Sequence, residues 1–433
     1  MIATCVSRTL LIGLVLMCVI SCGGDDQSHA GDQERTLTVL YLEIWADSLN
    51  HEFHAVCDQW AKSSGTKVIV EDIPLKDLSS KLAAYVDAGE GADLAVFPAH
   101  LTILYSRKLA DFSSLMGQVT EELGPSYEIA AMMNRVGDKW VGVPLFAWSH
   151  IWVYRDDLMR LEALRVPDTW DEAATVVRKL TDHKKGVWGL GIGLGEDDDA
   201  AMFFQSLLWA HGASVFAEDG QTVVLDSRET RDAVNWLLSL YRDGIIPEGA
   251  LGWDGASNNR NFLGGTIAVT ANSPTIYYAA KHSDTALAAN IRHSVYPSGP
   301  AGRYSYATGF SLSLLKDSPN ADRSLDLIRY IMRRDNYQRL IAAGEGSVNP
   351  MYKGVDALAL WQHDEKLLPA LQSLEIERPV GWPGPVTAAA AEVFEQRILT
   401  DMFARIIDDN LSTDDAVTEA ASKVRAIVAK HRP

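Results

Sequence analysis

The sequence predicts an α/β fold with room for two large lobes. The chain has 433 residues, whereas a single domain usually has about 100 to 200 residues. Hydrophobic residues make up 47% and charged residues 22%, as in ordinary soluble globular proteins. From residue 36 onward, short apolar runs alternate with segments of helical periodicity, which is the pattern of parallel strands joined by crossover helices.

The alternation is clearest between residues 36 and 97. We predict strands at 36–45, 67–73 and 93–97, a helix at 49–62 and a second helix at 75–88 that ends at Gly89. In parallel sheets ligands bind beyond the carboxyl ends of the strands. The loops after Trp45 and Phe97 are therefore expected to line a site.

The rest of the chain continues the same pattern. A long strand is predicted at 141–154, interrupted by Pro144. Further strands are predicted at 266–270, 293–296 and 309–315. Helices are predicted at 170–180, with Asp168 or Thr169 as its cap, at 202–211, 227–242 and 322–333, and from 388 to the C-terminus, where Ser412 or Thr413 caps the last helix.

The first 35 residues have a different character. Arg8 precedes an apolar run at 10–20, which is too short to span a membrane and is followed by a small residue and Cys22. Residues 19–22 resemble a bacterial lipobox. We therefore interpret residues 1–21 as a lipoprotein signal peptide, Cys22 as the point of lipid attachment and 22–35 as a flexible tether. The alternative is an ordinary secretory peptide in which Cys22 has no role.

Cysteine usage and net charge restrict the mature body further. Once Cys5 and Cys18 leave with the signal peptide and Cys22 carries lipid, only Cys57 is left, so no intramolecular disulfide can form and we predict a buried structural thiol. The net charge of −18 argues against nucleic acid or an anionic surface as a partner. It favours a soluble monomer with a neutral or weakly charged ligand.

The common catalytic and cofactor motifs are missing from the sequence. The glycines at 189, 191, 193 and 195 do not fit the dinucleotide fingerprint, and no phosphate loop, nucleophile elbow or zinc-protease helix occurs. We predict no cofactor and no metal. The acidic run at 196–199 leaves calcium open as an alternative, although acids at a helix N-terminus explain it more simply.

Tryptophan placement gives the strongest functional signal. Of the twelve tryptophans, Trp45, Trp148, Trp253 and Trp382 lie in loops or strand breaks rather than in helical core stripes. A sugar ring has apolar C–H faces and a rim of hydroxyl groups, so it is bound by flat aromatic surfaces beside planar hydrogen-bonding groups. Such groups lie near these tryptophans at Glu43, Asp47, His150, Asp254, Asn272, Asn349 and Arg378.

Five segments spread over the chain are informative as an ordered set. They are KLAAYVDAGEGADLAV at 81–96, the stretches at 142–158 and 166–172, FLGGTIAV at 262–269, and the terminal helix around 414–424. In this order they resemble family 1 of the extracellular solute-binding proteins, the sugar receptors of ATP-driven importers. Arg155 stands where the family usually has Asn, and Val269 where it has Met.

The resemblance implies a two-lobed periplasmic-binding-protein fold of type II, a Venus flytrap with a hinge between the lobes. By analogy, the N-terminal lobe combines 36–147 with 296–342, and the C-terminal lobe combines 148–295 with 343–433. Together with the aromatic signal it yields the expected ligand-binding residues, which are Trp45, Asp47, His100, Trp148, His150, Trp253, Asp254, Asn272, Tyr277, Thr308, Gly309, Arg378 and Trp382.

The expected function is therefore sugar capture between the lobes and delivery to the membrane permease of an ABC importer. The protein is expected to be exported, anchored by lipid to a bacterial membrane on its periplasmic or extracytoplasmic face, and not an enzyme. Two alternatives stay open. Ferric iron capture would need the phenols of Tyr277 and Tyr278, and a secreted carbohydrate-active enzyme would need a carboxylate pair drawn from Glu43, Asp47 and Asp254.

Overall fold

A computed structural model of the protein describes residues 36–89, 91–195, 198–355 and 359–432. The predicted signal peptide, the lipid attachment at Cys22 and the tether lie outside the described residues. Within the described ranges, no helix has both the length and the apolar character needed to cross a membrane.

Strands and helices alternate along the chain. The strands are β1 Thr36–Glu43, β2 Lys67–Pro74, β3 Leu94–Pro98, β4 Arg135–Val136, β5 Lys139–Trp140, β6 Val143–Ser149, β7 Ile151–Arg155, β8 Trp188–Gly191, β9 Ile267–Asn272, β10 Ile291–Ser294, β11 Ser305–Ser313, β12 Asn349–Pro350 and β13 Glu377–Arg378.

The helices lie mostly where the periodicity predicts them. They are α1 Asp47–Ser64, α2 Leu75–Ala88, α3 Ala99–Leu104, α4 Ser113–Leu123, α5 Glu128–Asn134, α6 Asp156–Leu161, α7 Trp170–Leu180, α8 Asp198–Ala210, α9 Arg228–Arg242, α10 Ser257–Leu263, α11 Thr275–Ser283, α12 Thr285–Asn290, α13 Ala321–Ile331, α14 Arg334–Ala343, α15 Ala359–His363, α16 Leu368–Ser373, α17 Ala388–Glu395, α18 Ile398–Asp408 and α19 Thr413–His431, with short 3-10 helices at Glu248–Gly252 and Glu365–Leu367.

One sheet has the order β12-β6-β11-β3-β1-β2, with β13 beside β11. Strand β1 runs parallel to β2 and β3, as predicted. Strand β11 is antiparallel to β3 and β6, and β12 is antiparallel to β6, so the prediction of an all-parallel sheet is wrong for this half. Strands β6, β11 and β12 do not belong to the local strand–helix–strand units that make a sheet parallel.

The other sheet has the order β10-β7-β9-β8. Its β8 and β9 are parallel, whereas β7 is antiparallel to both β9 and β10. Strand β8 contains Gly189 and Gly191, the first two glycines of the run at 189–195. A Cβ atom on Gly189 would stand 1.8 Å from the carbonyl oxygen of Val177, so the close approach of α7 requires glycine there.

The buried apolar residues form two cores. The first core packs around Tyr41, Phe97 and Phe146, and it contains Cys57, which is fully buried as predicted. It also extends to one side of the second sheet, at Val153, Ile267 and Ile291. The second core packs around Trp152, Trp170 and Trp209.

Strand β6 leads directly into β7, and the chain passes from one sheet to the other at His150. The predicted break at Pro144 is therefore wrong, because Pro144 lies inside β6. Its missing N–H group is tolerated because the pairing of β6 with β11 is irregular between Phe310 and Ser311, where Pro144 is the partner of Ser311.

Sheet membership and the second core indicate where the chain crosses between lobes. Strands β12 and β13 belong to the first sheet, whereas Tyr296 and Tyr306 belong to the second core. We propose that the lobes are divided at 149–151, within β11 and just after β13, which keeps the first predicted boundary and moves the other two toward the C-terminus.

Candidate ligand-binding site between the lobes

A small cavity lies where β11 passes between the lobes. Its volume is about 20 Å³, which is room for about one water molecule and not for a sugar ring. A larger guest can enter only when the lobes move apart. The cavity is lined by Ala99, His100, Met133, Met202, Tyr306, Ala307, Thr308, Gly309, Pro379, Val380, Val386 and Phe394.

The cavity walls come from both lobes and are mostly apolar. Met133 on α5 belongs to the first core, whereas Met202 on α8 belongs to the second. The hydroxyl of Thr308 donates to the sulfur of Met202 at 3.1 Å. The ring of Tyr306 stacks on Phe394 with 5.3 Å between centroids.

A hydrogen bond links the lobes at the cavity edge. His100 on α3 lies 2.7 Å through Nε2 from Oε1 of Glu395 at the end of α17. Burial by itself would raise the pKa of the Glu395 carboxyl, but the hydrogen bond and charge of His100, together with Ser79 and Arg397, bring it below its ordinary value. The pair is therefore a charge-assisted contact that favours closed lobes.

A polar cluster lies about one helical turn from the cavity. The carboxylate of Asp199 on α8 accepts hydrogen bonds from the side-chain amides of Asn258 at 2.8 Å and Asn272 at 3.4 Å. Nε2 of His150 is 3.9 Å from Oδ1 of Asp199. Asp199 and Met202 are three residues apart and thus share one face of α8, so the cluster and the cavity are neighbours.

His150 occupies a buried position in this cluster. Its Nδ1 is 2.7 Å from the hydroxyl of Tyr296, and among the described residues its buried Nε2 has no hydrogen-bond partner. Burial lowers the pKa of His150 to about 3, so the ring is neutral. Because Nδ1 is already paired with Tyr296, Nε2 is the ring nitrogen that a ligand hydroxyl near Asp199 can reach, as a donor or an acceptor according to the tautomer.

The three crossing segments meet at a buried carboxyl group. Oε1 of Glu377 on β13 accepts from the hydroxyls of Ser149 at 2.7 Å and Ser373 at 3.0 Å. In the part of the chain that the structure describes, its buried Oε2 has no partner. Burial raises the pKa of Glu377 to about 7, although both serine hydrogen bonds act to lower it.

The structure brings together part of the predicted site. His100, Thr308 and Gly309 line the cavity. His150 and Asn272 belong to the polar cluster. Trp148 is the strand partner of Thr308 and packs on Phe310, with 4.7 Å between ring centroids, so it lies beside the cavity without being part of its lining.

The remaining predicted residues lie elsewhere. Trp45 is 50% exposed and stands with exposed Asp47 in the turn between β1 and α1. Trp253 is half-buried and packs against both cores. The carboxylate of Asp254 accepts hydrogen bonds from the Ser257 hydroxyl at 2.7 Å and from Arg260 at 2.8 Å. Both partners belong to α10, so this carboxylate is engaged by its own segment of the chain.

Arg378 and Trp382 lie close to each other but away from the cavity lining. The guanidinium carbon of Arg378 is 5.9 Å from the centroid of the Trp382 ring. That ring packs against Tyr304 and Trp209 at 4.7 and 5.8 Å between centroids. These contacts make Trp382 a partner of the second core in this arrangement of the lobes.

Tyr277 and Tyr278 have separate partners. The hydroxyl of Tyr277 donates to Asp364 at 2.7 Å, and that of Tyr278 lies 3.0 Å from the hydroxyl of Ser48. Burial, with the Asp364 hydrogen bond, raises the pKa of Tyr277, which disfavours a phenolate. Within the described ranges, no group of three or more His, Cys, Asp and Glu side chains is placed to hold a metal ion.

Several residues of this candidate site have no distinguishing signal in the sequence. Met133, Met202 and Phe394 look like core residues in the sequence, because only the lobe packing places them at a cavity. Asp199 drew attention only as part of the acidic run at 196–199. In the structure Asp199 accepts a hydrogen bond from Asn258, and its neighbour Asp198 is 3.1 Å from Arg397. Both carboxylates thus have partners within the protein. Residues 196 and 197 lie outside the described residues.

Comparison with known proteins defines the class. Residues 55–370 match the family model of bacterial extracellular solute-binding proteins. A probable ABC transporter-binding protein of Deinococcus radiodurans is 25% identical over 347 residues, which cover 76% of this chain and 80% of that protein.

Solved structures with the same fold include T. maritima MalE3 with bound maltose and a sugar transporter from Arthrobacter chlorophenolicus A6 with bound laminaribiose. Each has a TM-score of 0.79, and each alignment covers 90% of this chain and 99% of the solved chain. The sequence identity is 21% for MalE3 and 13% for the Arthrobacter protein. This likeness confirms the two-lobed α/β fold with a hinge.

The chain belongs to the bacterial extracellular solute-binding proteins. The family predicted from the ordered segments is confirmed.

Proposed function

We propose that the protein captures a sugar between its lobes and delivers it unaltered to the permease of an ABC importer. The polar cluster around Asp199 carries the proposal. It combines a carboxylate, side-chain amides and a neutral imidazole, which are the planar groups that form paired hydrogen bonds with adjacent hydroxyls.

The position of the cluster supports capture by closure. His150 and Asn272 lie at facing ends of β7 and β9, since Ile151 pairs with Asn272. Asp199 lies in the first turn of α8, and Met202 in the next turn contacts Thr308 on the crossing strand β11. A ligand held there would touch both lobes in the closed form, as a population shift toward closure requires.

The relatives favour the same class of ligand and partner. The similar solved structures hold maltose and laminaribiose, and the Deinococcus protein is described as ABC transporter-binding. The acidic net charge of −18 suits a neutral sugar better than an anion.

Calorimetric titration of mono-, di- and oligosaccharides tests the proposal. At least one sugar should bind, and chromatography should recover it unchanged. Asp199→Asn should weaken binding about 10- to 100-fold, because it removes a charged hydrogen-bond acceptor. Asp198→Asn is the matched control, since its carboxylate pairs with Arg397 instead. Equal effects of both variants, or turnover of the sugar, would contradict the proposal.

We propose in addition that lipid on Cys22 anchors the protein and keeps it near its permease. Lipid chains on one residue hold a protein at a membrane surface without a spanning helix. In cells, Cys22→Ala should move the protein from the membrane fraction to the soluble fraction, whereas Cys57→Ala should leave it on the membrane. A Cys22→Ala protein that stays with the membrane would argue against the anchor.

A further inference from the structure

Two hydrogen bonds between a histidine and a glutamate join the lobes. The first is the contact of His100 with Glu395, at 2.7 Å between Nε2 and Oε1. The second joins His282 on α11 to Glu345, at 3.0 Å between Nε2 and Oε1. Histidine is the side chain whose charge ordinarily changes between pH 5 and 8, so the charge within both contacts depends on pH.

The second pair crosses between the lobes in the opposite sense. Helix α11 connects β9 to β10 of the second sheet, whereas Glu345 follows α14, between β11 and β12 of the first sheet. The histidine of this pair therefore belongs to the second lobe, whereas His100 belongs to the first. Helix α11 also meets α1 of the first lobe, because the hydroxyl of Tyr278 lies 3.0 Å from that of Ser48. Since each pair spans two bodies, opening of the lobes separates each histidine from its carboxylate.

The surroundings of His100 give its charge a strong effect. The carboxylate of Glu395 faces the imidazole from the second lobe, and the ring of Phe394 lies beside it, with 5.0 Å between ring centroids. Arg397 and the phenol of Tyr105 lie near the same carboxylate. The two paired side chains are only 13% and 27% exposed, so water screens the interaction weakly.

The surroundings of His282 are more open. Its side chain is 54% exposed, and Glu345 also pairs with Lys281, whose Nζ is 2.9 Å from Oε2. The ring of Tyr278 lies beside the imidazole, with 4.7 Å between ring centroids. A lysine keeps its positive charge throughout this pH range, so protonation of His282 adds a second cation to an existing ion pair. Because water screens this exposed pair, we expect its effect to be the smaller one.

The direction of the effect follows from proton linkage. A carboxylate beside a histidine favours its protonated form, and in each pair this neighbour is present only while the lobes are closed. The closed form therefore binds protons more tightly than the open form, and a fall in pH from 8 to 5.5 shifts the equilibrium toward closed lobes. At high pH a neutral imidazole can still donate from Nε2, so the closed form is weakened rather than lost.

We propose that these two pairs make sugar capture sensitive to pH, with tighter binding in acidic surroundings. The inference rests on the proposed sugar-binding function and adds its regulation. Because the closed form holds the sugar, a larger closed population raises the apparent affinity in proportion.

Calorimetric titration at pH 8 and pH 5.5 tests the inference with the tightest-binding sugar of a screen that includes maltose and laminaribiose. The wild-type protein should bind about 10- to 20-fold more tightly at pH 5.5, since one pKa unit between two states changes their ratio up to tenfold. His100→Gln should reduce this difference to about twofold, the size expected for the remaining exposed pair. His282→Gln should remove only about twofold of it.

A third histidine–carboxylate pair offers a matched control. His54 on α1 lies 2.8 Å from Asp72 on β2, and both belong to the first lobe, so His54→Gln should keep the full pH dependence. His100→Lys replaces the titrating cation with a permanent one, so it should bind at pH 8 as tightly as the wild type does at pH 5.5. If His100→Gln does not fold, Glu395→Gln removes the same ion pair from the other side.

The outcomes separate the two proposals. Equal affinity at both pH values overturns the pH inference while sugar capture stands. So does a pH dependence that is unchanged when both His100 and His282 are replaced, because it would come from another group such as Glu377. Equal losses in His100→Gln and His54→Gln also overturn it. Binding of no sugar at either pH overturns both.

Discussion

Two buried ionisable side chains on adjoining crossing segments have opposite pKa shifts. Burial raises the pKa of Glu377 to about 7 and lowers that of His150 to about 3. In each case burial favours the neutral form, which is the acid form of Glu377 and the base form of His150. Ser149 and His150 are consecutive, and Ser149 bonds to Glu377, so both groups sit where β6 leaves the first sheet.

The raised pKa of Glu377 predicts a pH-dependent stability. The folded chain binds the carboxyl proton of Glu377 more tightly than the unfolded chain does. The contribution of this proton to the unfolding free energy is therefore complete below the unfolded pKa of about 4.3 and is lost as pH rises through 7. The loss is on the order of 3 kcal/mol.

Glu377→Gln tests this pH dependence by denaturant unfolding from pH 5 to 8. Relative to the wild type, the variant should gain unfolding free energy as pH rises from 5 to 8, and it should be the more stable form above pH 7. Glu375→Gln, on the surface beside it, is the control and should retain the wild-type slope. A difference between wild type and Glu377→Gln that stays constant over this range would contradict the prediction.

The histidines act in the opposite direction. His293 is also buried, and its pKa is lowered to about 4, chiefly by burial. Stability from His150 and His293 is present above the unfolded pKa of about 6.5 and is lost as pH falls toward 4 and 3. Between about pH 4.3 and 6.5 the two histidines outweigh the one glutamate, so the unfolding free energy of the wild-type chain should rise with pH there, and the effect of Glu377 is seen in the difference from Glu377→Gln.

Among the elements, those determined by local pattern were predicted best. Helices α2 and α7 begin and end at the predicted residues, with Gly89 in the left-handed conformation after α2 and the Thr169 hydroxyl accepting from the N–H of Glu172. Apolar periodicity, capping and glycine act within a few residues, so the sequence shows them directly.

Strand pairing was predicted less well, because it depends on distant segments. The prediction places a strand at 309–315, whereas β11 runs from Ser305 to Ser313, because its first residues pair with the distant strand β13 and contact α8. The cavity likewise depends on contacts between distant segments of the chain. Met202 and Phe394 become wall residues only when β11 brings the lobes together, and no local pattern distinguishes them from core.

The contact between α7 and β8 gives a prediction at this scale. Gly189→Ala places a Cβ atom 1.8 Å from the carbonyl oxygen of Val177, so we expect a loss of about 2–4 kcal/mol in unfolding free energy. Gly117→Ala is the control. It lies within α4, its added Cβ would have nothing within 4 Å, and alanine favours helix, so a gain of about 0.5–1 kcal/mol is expected.

Denaturant unfolding of both variants measures the two changes. A Gly189→Ala protein as stable as the wild type would mean that α7 can move away from β8 at no cost in free energy. The close contact with Val177 would then not explain why glycine occupies this position.

For the whole molecule, the hydrogen bond between His100 and Glu395 favours closed lobes. Glu395→Ala removes it, and hydrogen bonds to charged groups contribute about 1.5–3 kcal/mol. We expect the equilibrium between closed and open lobes to shift toward open by at least about tenfold.

Small-angle X-ray scattering without added sugar would detect the shift as a larger radius of gyration. Glu392→Ala is the control, because Glu392 lies one turn earlier on α17 and pairs with Lys430 and His431 within the same lobe. An unchanged radius in Glu395→Ala, or equal changes in both variants, would show that this pair does not hold the lobes together.

The pairing of Phe310 with Pro98 has a consequence for how the chain is made. Until β11 has been synthesised, β3 has an unsatisfied edge in the middle of its sheet, and such long-range pairing forms slowly. A chain truncated before residue 305 would therefore expose the unpaired edge of β3 in an incomplete first sheet. The late synthesis of its partner strand therefore delays completion of the first sheet until most of the chain has been made.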